Sequence, residues 1–315
     1  MSPPIFPHLW FATEAKEAAK FYVEVFPNSK IVYETTLKDT PGGDCNIVDF
    51  EINGHQFMAI SAGDMFKINP SISFIVTFDP VTDKNALENL DRIWGKLAEG
   101  GKPLMDIGEY PFSKRYGWIQ DKFGVSWQLI YGWEDRKEED VRPYIMPSLL
   151  FAKESSGKAE EASEFWMSVF KDSKRGMTAR YGKESKDMEG QIMFSDFRLG
   201  KDQWFAVCDG GNMHDFQFNE AVSLVIDCED QAEIDYYCDK LSAVPEAEVC
   251  GWLKDKYGVS WQVEPKIMHK MICDSDEERL KRVQDAFMQM KRFNLQELMD
   301  AYDGKSPKKM KQSTE

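Results

Sequence analysis

The sequence predicts an α+β fold in which two similar copies follow one another and a helical tail comes last. The first observation is an internal repeat: the block GWIQDKFGVSWQLI at 117–130 returns as GWLKDKYGVSWQVE at 251–264, with 9 of 14 positions identical. The second is a fixed order within each copy, where a strand-like run, an amphipathic helical stripe and further strand-like runs occur twice. Each copy is therefore predicted to contain two βαβββ modules, which form sheets with helices on one face.

The elements of the first copy can be assigned in chain order. Apolar residues at helical spacing between Ala15 and Phe26 predict a helix directly after a short apolar strand. Asn53-Gly54 is a strong signal for a two-residue hairpin turn between two later strands. The second module repeats the order and ends in two strands joined by a tight turn at 121–124. The predicted strands and helical stripes are 6–11, 15–26, 31–37, 47–52, 56–61, 71–78, 87–97, 118–119 and 125–131.

The repeat divides the chain into four parts. One domain is predicted over 1–133 and another over 143–266, joined at 134–142 by a linker, EDRKEEDVR, that is highly charged and has few apolar residues. Two such domains in one chain predict a pseudo-dimer, and a further homodimer remains open. The tail at 267–315 contains two predicted helices, each opened by a capping box. The capping pairs are Ser275 with Glu278 and Asn294 with Glu297.

Composition and charge exclude two classes of partner. The 315 residues include 39 Lys and Arg against 54 Asp and Glu, which gives a net charge of -15 and a sequence pI near 4.9. This charge repels phosphate backbones and anionic membranes, so we expect neither nucleic acid nor a membrane as partner. No apolar stretch approaches the roughly 20 residues of a spanning helix. The 6 cysteines contain no CxxC pair and suit reduced thiols, which predicts a cytoplasmic protein.

Several motifs resemble one known family. They are the paired βαβββ modules, PHLWF followed by an Ala- and Glu-rich helix ending in FY, and NEAVSLVIDCEDQAEIDYYCDKL followed by CGWLKDKYGVSWQVEP. Together they resemble the PhnB-like branch of the vicinal oxygen chelate superfamily, which includes glyoxalase I, bleomycin-resistance proteins and extradiol dioxygenases. The resemblance covers both copies and implies two tandem glyoxalase-like domains, each with its modules curled into a half-open cup.

Sequences of this branch often carry the label 3-demethylubiquinone-9 3-methyltransferase, which implies bound S-adenosylmethionine. A Rossmann-type methyltransferase needs a glycine-rich turn between a strand and a helix, so that the backbone can approach the cofactor closely. No strand here is followed by such a turn, and the glycine pairs at 42–43, 100–101 and 210–211 are isolated in predicted loops. We therefore expect no S-adenosylmethionine and no other cofactor.

The superfamily fold implies one metal ligand from the first and the last strand of each module, usually His, Gln or Glu. At these positions the sequence offers His8, its counterpart Ser148 in the second copy, and Gln128 and Gln262 in the last strands. One His and one Gln are too few donors for a divalent ion, because N/O sites use about three or more protein ligands. We expect no metal. The predicted ligand pocket instead comprises His8, Trp10, Ser126, Gln128, Ser148, Ser260 and Gln262.

The first copy has an excursion between Leu97 and Gly117 that the second copy lacks. Long loops in compact domains are often functional, so this segment is interpreted either as a lid over the pocket or as a loop that covers the other copy. The candidate lid residues are Tyr110, Phe112, Lys114 and Arg115.

The other residues of the repeated block have simpler interpretations. Alternation along the last strand places Trp127 and Trp261 opposite the glutamines, in the core under the helices. Asp121 and Asp255 are interpreted as turn residues. Glu264 shares the face of Gln262 and is the carboxylate that would enter the second cup.

These observations favour a small-molecule-binding protein that works without a metal and holds its ligand in the cup of the first domain. That copy is favoured because it carries His8 and the excursion. The alternative is a metal-dependent enzyme of the glyoxalase or dioxygenase type that uses His8, followed by the methyltransferase that the label implies. A third hypothesis is a protein–protein scaffold that docks through the tail helices. Catalytic residues and the identity of the ligand are not predicted.

Overall fold

The structure is a computed structural model, and it describes residues 2–40, 42–134, 137, 141–274 and 276–305. Most of the predicted linker, the predicted cap residue Ser275 and the end of the tail at 306–315 lie outside the described residues. No helix in the described ranges is long and apolar enough to cross a membrane.

The predicted βαβββ order is found in three of the four modules, and the last module of the second copy has one strand fewer within the described residues. The first module contains β1 (Ile5–Phe11), α1 (Ala15–Val25), β2 (Lys30–Thr40), β3 (Gly43–Ile52) and β4 (His55–Ser61). The second contains β5 (Ile72–Phe78), α2 (Ala86–Ala98), β6 (Lys102–Tyr110), β7 (Ser113–Gln120) and β8 (Ser126–Tyr131). The second copy contains β9 (Ile145–Ala152), α3 (Ala159–Val169), β10 (Lys174–Arg180), β11 (Ile192–Leu199) and β12 (Gln203–Gly211), then β13 (Val222–Cys228), α4 (Gln231–Leu241), β14 (Trp252–Lys254) and β15 (Ser260–Pro265).

The predicted excursion of the first copy is a strand rather than a loop. It forms β6, which pairs antiparallel with β7 and lies at the edge of its sheet. Pro103 and Gly108 make the segment look irregular in the sequence, but an edge strand tolerates both because one side of its backbone needs no partner. The corresponding part of the second copy is a short 3-10 turn at Pro245–Ala247, so its last module has three strands within the described ranges.

The two sheets are built across the copies. Sheet one has 7 strands in the order β14-β15-β13-β1-β4-β3-β2, and sheet two has 8 strands in the order β10-β11-β12-β9-β5-β8-β7-β6. The joins are antiparallel, with His8 of β1 opposite Ser223 of β13 and Ser73 of β5 opposite Ser148 of β9. The prediction that each copy curls into its own cup is therefore wrong, because the first strand of every module pairs with a strand of the other copy.

One face of each sheet, called here the inner face, packs under helices. Helix α1 packs on β3, α2 on β8, α3 on β11 and α4 on β15. The inner faces share one continuous apolar core, in which Trp127 and Trp261 are fully buried, as predicted. The opposite face of each sheet, called here the cup face, carries the alternate residues. The candidate site residues lie on these cup faces.

Each copy contains a buried aspartate that does more than close a turn. Asp121 is 4% exposed, and its Oδ1 accepts hydrogen bonds from the backbone N–H groups of Phe123 (2.8 Å) and Val125 (3.1 Å). Its Oδ2 accepts from Tyr22 Oη and Trp127 Nε1, each at 2.8 Å. Burial raises the pKa of the Asp121 carboxyl, and the four donors oppose that effect by stabilising the charged form. The carboxylate therefore ties the β7–β8 turn to α1 and to the core.

Asp255 repeats this arrangement in the second copy. Its Oδ1 accepts from the N–H groups of Tyr257 (2.9 Å) and Val259 (3.0 Å), and its Oδ2 accepts from Trp166 Nε1 (2.8 Å) and Trp261 Nε1 (2.9 Å). The repeated DK-x-GVSW sequence is thus a structural motif in which an acid, a turn and a tryptophan form one unit.

The tail lies on the cup face of sheet one. It comprises α5 (Ile267–Ile272), α6 (Glu277–Phe287) and α7 (Leu295–Tyr302). The predicted cap of α7 is confirmed, since Asn294 accepts from Glu297 N at 3.1 Å. Helix α6 is capped by Asp276, whose carboxylate accepts from the backbone N–H groups of Glu278 and Arg279. The tail residues buried against the sheet are Met268, Met271, Ile272, Val283, Phe287, Phe293 and Leu298.

Candidate functional site

Strand pairing divides the predicted pocket residues between the two sheets. His8 and Trp10 of β1 share sheet one with Ser260 and Gln262 of β15. Ser126, Gln128 and Ser148 lie together on sheet two. The predicted cup of the first domain, with His8 and Gln128 side by side, is not formed.

Three residues of the group on sheet one, His8, Ser260 and Gln262, are closed off from solvent. Gln262 Nε2 donates to Ser223 Oγ at 2.9 Å, and Ser223 Oγ lies 3.5 Å from His8 Nδ1. His8 is 2% exposed, with the ring of Trp252 edge-on at 5.4 Å. Burial lowers the pKa of His8 to about 3, so the imidazole is neutral at physiological pH. Ser260 Oγ is buried without a hydrogen-bond partner among the described residues.

The group on sheet two forms a chain of hydrogen bonds on the face opposite to the one on which the described α-helices pack. Tyr116 Oη donates to Gln128 Oε1 at 2.7 Å, and Gln128 Nε2 donates to Ser73 Oγ at 2.8 Å. Ser148 lies opposite Ser73 in the strand register. Burial raises the pKa of the Tyr116 hydroxyl well above its ordinary value, so Tyr116 remains a proton donor. The Gln128 amide is thus held in one orientation by a donor and an acceptor.

Apolar residues surround this chain on sheet two. Ile75, Met146 and Ala206 are buried, and Ile130, Phe194 and Trp204 pack against them while remaining half-buried. Cys208 also lies here. Burial raises the pKa of the Cys208 thiol to about 12, which keeps it protonated and unsuited to act as a nucleophile near neutral pH.

Aromatic side chains form one border of the cup face of sheet two. Trp118 Nε1 donates to Ser126 Oγ at 2.7 Å, and the ring of His214 lies 6.0 Å from Trp118. Tyr110 and Phe112 lie 5.4 Å and 5.0 Å from Tyr116. This border supplies flat apolar surface beside the polar chain.

The opposite border is held by an ion pair. Arg142 Nε donates to Asp196 Oδ2 at 2.6 Å, and its guanidinium stacks 3.9 Å from the ring of Trp204. Both charged side chains are mostly buried. The pair neutralises the one carboxylate that β11 presents on this face.

The structure separates the four predicted lid residues. Tyr110 and Phe112 contact Tyr116, but Arg115 pairs with Asp91 of α2 at 2.8 Å and therefore lies on the inner face. Lys114 pairs with Glu134 at 2.9 Å, just after β8 ends. The predicted lid is thus part of a paired hairpin, and alternation along β7 sends its two basic residues to opposite faces.

Sequence reasoning left Tyr116, Trp118, Trp204 and Arg142 out of the pocket. Tyr116 and Trp118 could have been predicted from the sequence. Strand β7 is joined to β8 by a tight turn, so the two strands pair, and residues of β7 opposite Gln128 and Ile130 lie on the same face as Gln128. Trp204 and Arg142 reach the same face only through the pairing of β12 with β9, which the sequence does not reveal.

An open cleft of about 760 Å³ lies beside Trp10, where α1 begins. Its walls combine aromatic rings with acidic and basic side chains that lie at an open surface. No buried polar groups converge on it, so it is a weaker candidate site than the cup face of sheet two.

Comparison with solved structures identifies the class of fold. The V278E mutant of glyoxalase I from Zea mays is 14% identical, with a TM-score of 0.51 over 84% of this chain and 95% of that chain. Glyoxalase I from Zea mays itself is 12% identical, with a TM-score of 0.51 over 84% of this chain and 95% of that chain. The fold is therefore glyoxalase-like, of the vicinal oxygen chelate type.

The family follows from the sequence. The family model described as 3-demethylubiquinone-9 3-methyltransferase matches residues 3–130 and 143–264, and the chain belongs to this family. A PhnB protein from Bacillus cereus is 37% identical, over 40% of this chain and 98% of that chain, with a TM-score of 0.36. The comparison with curated proteins finds no match. The PhnB-like resemblance of both copies is confirmed.

Proposed function

We propose that this chain binds a small molecule on the cup face of sheet two and does so without a metal ion. The observation that carries the proposal is the fixed amide of Gln128. One lone pair of Oε1 accepts from Tyr116 and one N–H donates to Ser73, which leaves one acceptor site and one donor for a ligand. A half-buried amide beside aromatic and aliphatic side chains is typical of a site that orients a carbonyl or hydroxyl group.

The surrounding charges favour a neutral ligand. The Arg142–Asp196 pair is internally balanced, and the Cys208 thiol is protonated. The chain as a whole carries a charge of -15, which disfavours an anion. The ligand class is therefore a partly apolar molecule that carries a carbonyl or hydroxyl group and no net charge.

The donors on the cup faces do not fit a divalent metal ion. By strand register, His8 lies opposite Met58 and Ser223, with Gln262 on β15 nearby. On sheet two the matching side chains are Ser73, Gln128, Ser148 and Ala206. A neutral imidazole or amide with hydroxyls is a poor ligand set for such an ion. Within the described ranges, no three His, Cys, Asp or Glu residues are grouped to hold one.

The residues do not fit S-adenosylmethionine bound in the Rossmann manner either. The described connections from a strand to the following α-helix, at 12–14, 79–85, 153–158, 229–230 and 266, contain at most one glycine each. They lack the glycine-rich turn that such a site requires. The scaffold hypothesis is also weakened, because the tail packs on the chain's own sheet.

Protein purified without an affinity tag is expected to contain less than about 0.1 equivalent of any divalent ion, since a single neutral imidazole holds metal weakly. Elemental analysis by plasma mass spectrometry measures this content directly. A stoichiometric ion that disappears in His8→Gln would contradict the proposal and restore the metal-dependent enzyme.

Replacing Gln128 by Met is expected to weaken ligand binding about tenfold, because it removes hydrogen bonds worth about 1 to 1.5 kcal/mol while keeping the side-chain volume. A library of neutral aromatic carbonyl and hydroxyl compounds would be screened by thermal shift, with and without chelator, and hits titrated against both proteins. The matched control is Gln262→Met, at the corresponding buried position on sheet one, which should leave affinity unchanged. Equal losses in both variants, or none in Gln128→Met, would contradict the assignment to sheet two.

A further inference from the structure

The two cup faces carry corresponding Gln–Ser hydrogen bonds, but the tail packs on only one of the two faces. The cup face of sheet one carries a Gln262–Ser223 hydrogen bond of 2.9 Å that corresponds to the Gln128–Ser73 bond of 2.8 Å on sheet two. Among the described residues, no α-helix packs on the cup face of sheet two, whereas α5 and α6 lie over sheet one. The sheet residues that they cover are Phe6, Leu37, Cys45, Ile47, Met58 and Val225.

Helix α5 lies over ionisable groups that are incompletely satisfied. His269 Nδ1 is 2.9 Å from Tyr33 Oη and 3.5 Å from Asp49 Oδ2, and Gln56 Nε2 donates to Asp49 Oδ2 at 2.9 Å. Asp49 is 3% exposed and Asp227 is 9% exposed. Three buried atoms have no hydrogen-bond partner among the described residues. They are Asp49 Oδ1, Asp227 Oδ1 and His269 Nε2.

The neighbouring groups do not balance these carboxyls. Glu264 lies opposite Asp227 in the strand register and adds a third acid to the cluster. Burial lowers the pKa of His269, so its ring is neutral near pH 7 and offers no positive charge. The other ionisable groups acting on the cluster are Glu51 of β3, Tyr33 of β2, Cys273 after α5, Glu229 and Glu233 at the start of α4, and Lys266, which pairs with Glu229 at 2.9 Å.

The tail is firmly held on either side of this region. Helix α5 follows β15 with Lys266 alone between them. Beyond α6, the N–H groups of Cys250 and Gly251 donate to the carbonyls of Met290 and Lys291, each at 2.8 Å. Helices α5 and α6 therefore form an arch between two fixed ends, with the acids beneath its first half.

We propose that α5 and α6 form a cover that opens when the carboxyl groups of Asp49, Asp227 and Glu264 ionise, exposing the cup face of sheet one. Opening increases the access of each carboxylate to water and uncovers a second face with the same Gln–Ser pair as sheet two. The cover is a regulatory element within the chain. It does not depend on the ligand proposed for sheet two.

The direction of the pH dependence follows from proton linkage. Burial raises the pKa of Asp49 and of Glu264 to about 7 and that of Asp227 to about 6. The closed state therefore binds protons that the open state has released at the same pH. Closure is favoured most strongly below about pH 4, weakens as the pH rises toward 7, and changes little above that value.

Hydrogen–deuterium exchange of the full chain tests the cover. Exchange would be followed at pH 5 and pH 8, corrected for intrinsic amide rates. The protection factors of α5 and α6 are expected to fall at least about tenfold between these pH values, since one unit of pKa shift already corresponds to a factor of ten. Amides of β8 on sheet two report the rest of the fold and should keep their protection.

Two double variants with the same change of charge test whether the buried acids cause the pH effect. Asp49→Asn with Glu264→Gln should make the pH effect at least about threefold smaller than in the unchanged chain, because only Asp227 of the three acids can still ionise. The matched control, Asp64→Asn with Glu189→Gln, neutralises two exposed acids and should keep the full effect. If the first pair does not fold, Glu264→Gln alone retains the Gln56–Asp49 hydrogen bond and should remove part of the effect.

Three results would overturn the proposal: protection of α5 and α6 that is the same at both pH values, an undiminished effect in the neutralised variants, or an equal loss in β8. None of these results concerns ligand binding by sheet two. The failure of one proposal is therefore distinguishable from the failure of the other.

Discussion

Replacing Asp121 by Ala is expected to lower the free energy of unfolding by about 3 to 5 kcal/mol, because four donors lose their acceptor in a buried site. Two of them, Tyr22 Oη and Trp127 Nε1, are side-chain groups inside the apolar core, where water cannot replace the carboxylate. The loss would be measured by urea unfolding followed through tryptophan fluorescence. Asp255→Ala should cause a similar loss, since its carboxylate accepts the equivalent four hydrogen bonds.

The neighbouring residue provides the control for this prediction. Lys122 is exposed in the same turn, with its ammonium over the rings of Phe21 and Phe123, and Lys122→Ala should cost no more than about 1 kcal/mol. Asp121→Asn keeps the shape but turns an N–H group toward two donors, so its loss should approach that of Ala. A loss below about 1 kcal/mol in Asp121→Ala would show that the buried acid is not the link between turn and core.

A chain that ends at Lys266 is expected to self-associate. It lacks the tail residues that cover sheet one, so an apolar surface of several hundred Å² becomes exposed, more than soluble monomers usually carry. Light scattering coupled to size exclusion should find concentration-dependent oligomers. Binding of a hydrophobic dye should rise several-fold over the full chain.

A chain that ends at Lys305 is the control for this truncation. It keeps α5, α6 and α7 and should have the same oligomeric state and the same dye binding as the full chain. A monodisperse monomer of the chain ending at Lys266, with unchanged dye binding, would mean that the cup face of sheet one does not need the tail.

Local patterns predicted the modules well, but they did not predict how the modules pair. Alternation along β8 and β15 correctly separated Gln128 and Gln262 from Trp127 and Trp261, because side-chain direction depends only on the strand itself. The neighbour of a strand depends on which edges meet, and modules with similar sequences offer similar edges. The pairing of β1 with β13 therefore could not be predicted from the sequence, and His8 was expected beside Gln128.

The surroundings of Glu264 and Asp121 also depend on distant parts of the chain, which local sequence patterns do not show. Glu264 was predicted to enter the second cup, and it does share a face with Gln262, but the tail's position over that face has no signature in the strand itself. Asp121 was interpreted as a turn residue, and its Oδ1 does accept two backbone hydrogen bonds within the turn. The role of Oδ2 depends on Tyr22, a residue about a hundred positions away, so sequence spacing could not indicate it.

The pairing of strands across the copies has a consequence for how this protein can change over time. In an assembly of two identical chains, every substitution occurs twice and both symmetry-related faces change together. Here each sheet is built from two different segments of one chain, so a substitution in β15 changes the cup face of sheet one and leaves that of sheet two unchanged. Because the two copies are joined in one chain, the tail can pack on the cup face of sheet one while none of the described α-helices packs on the cup face of sheet two.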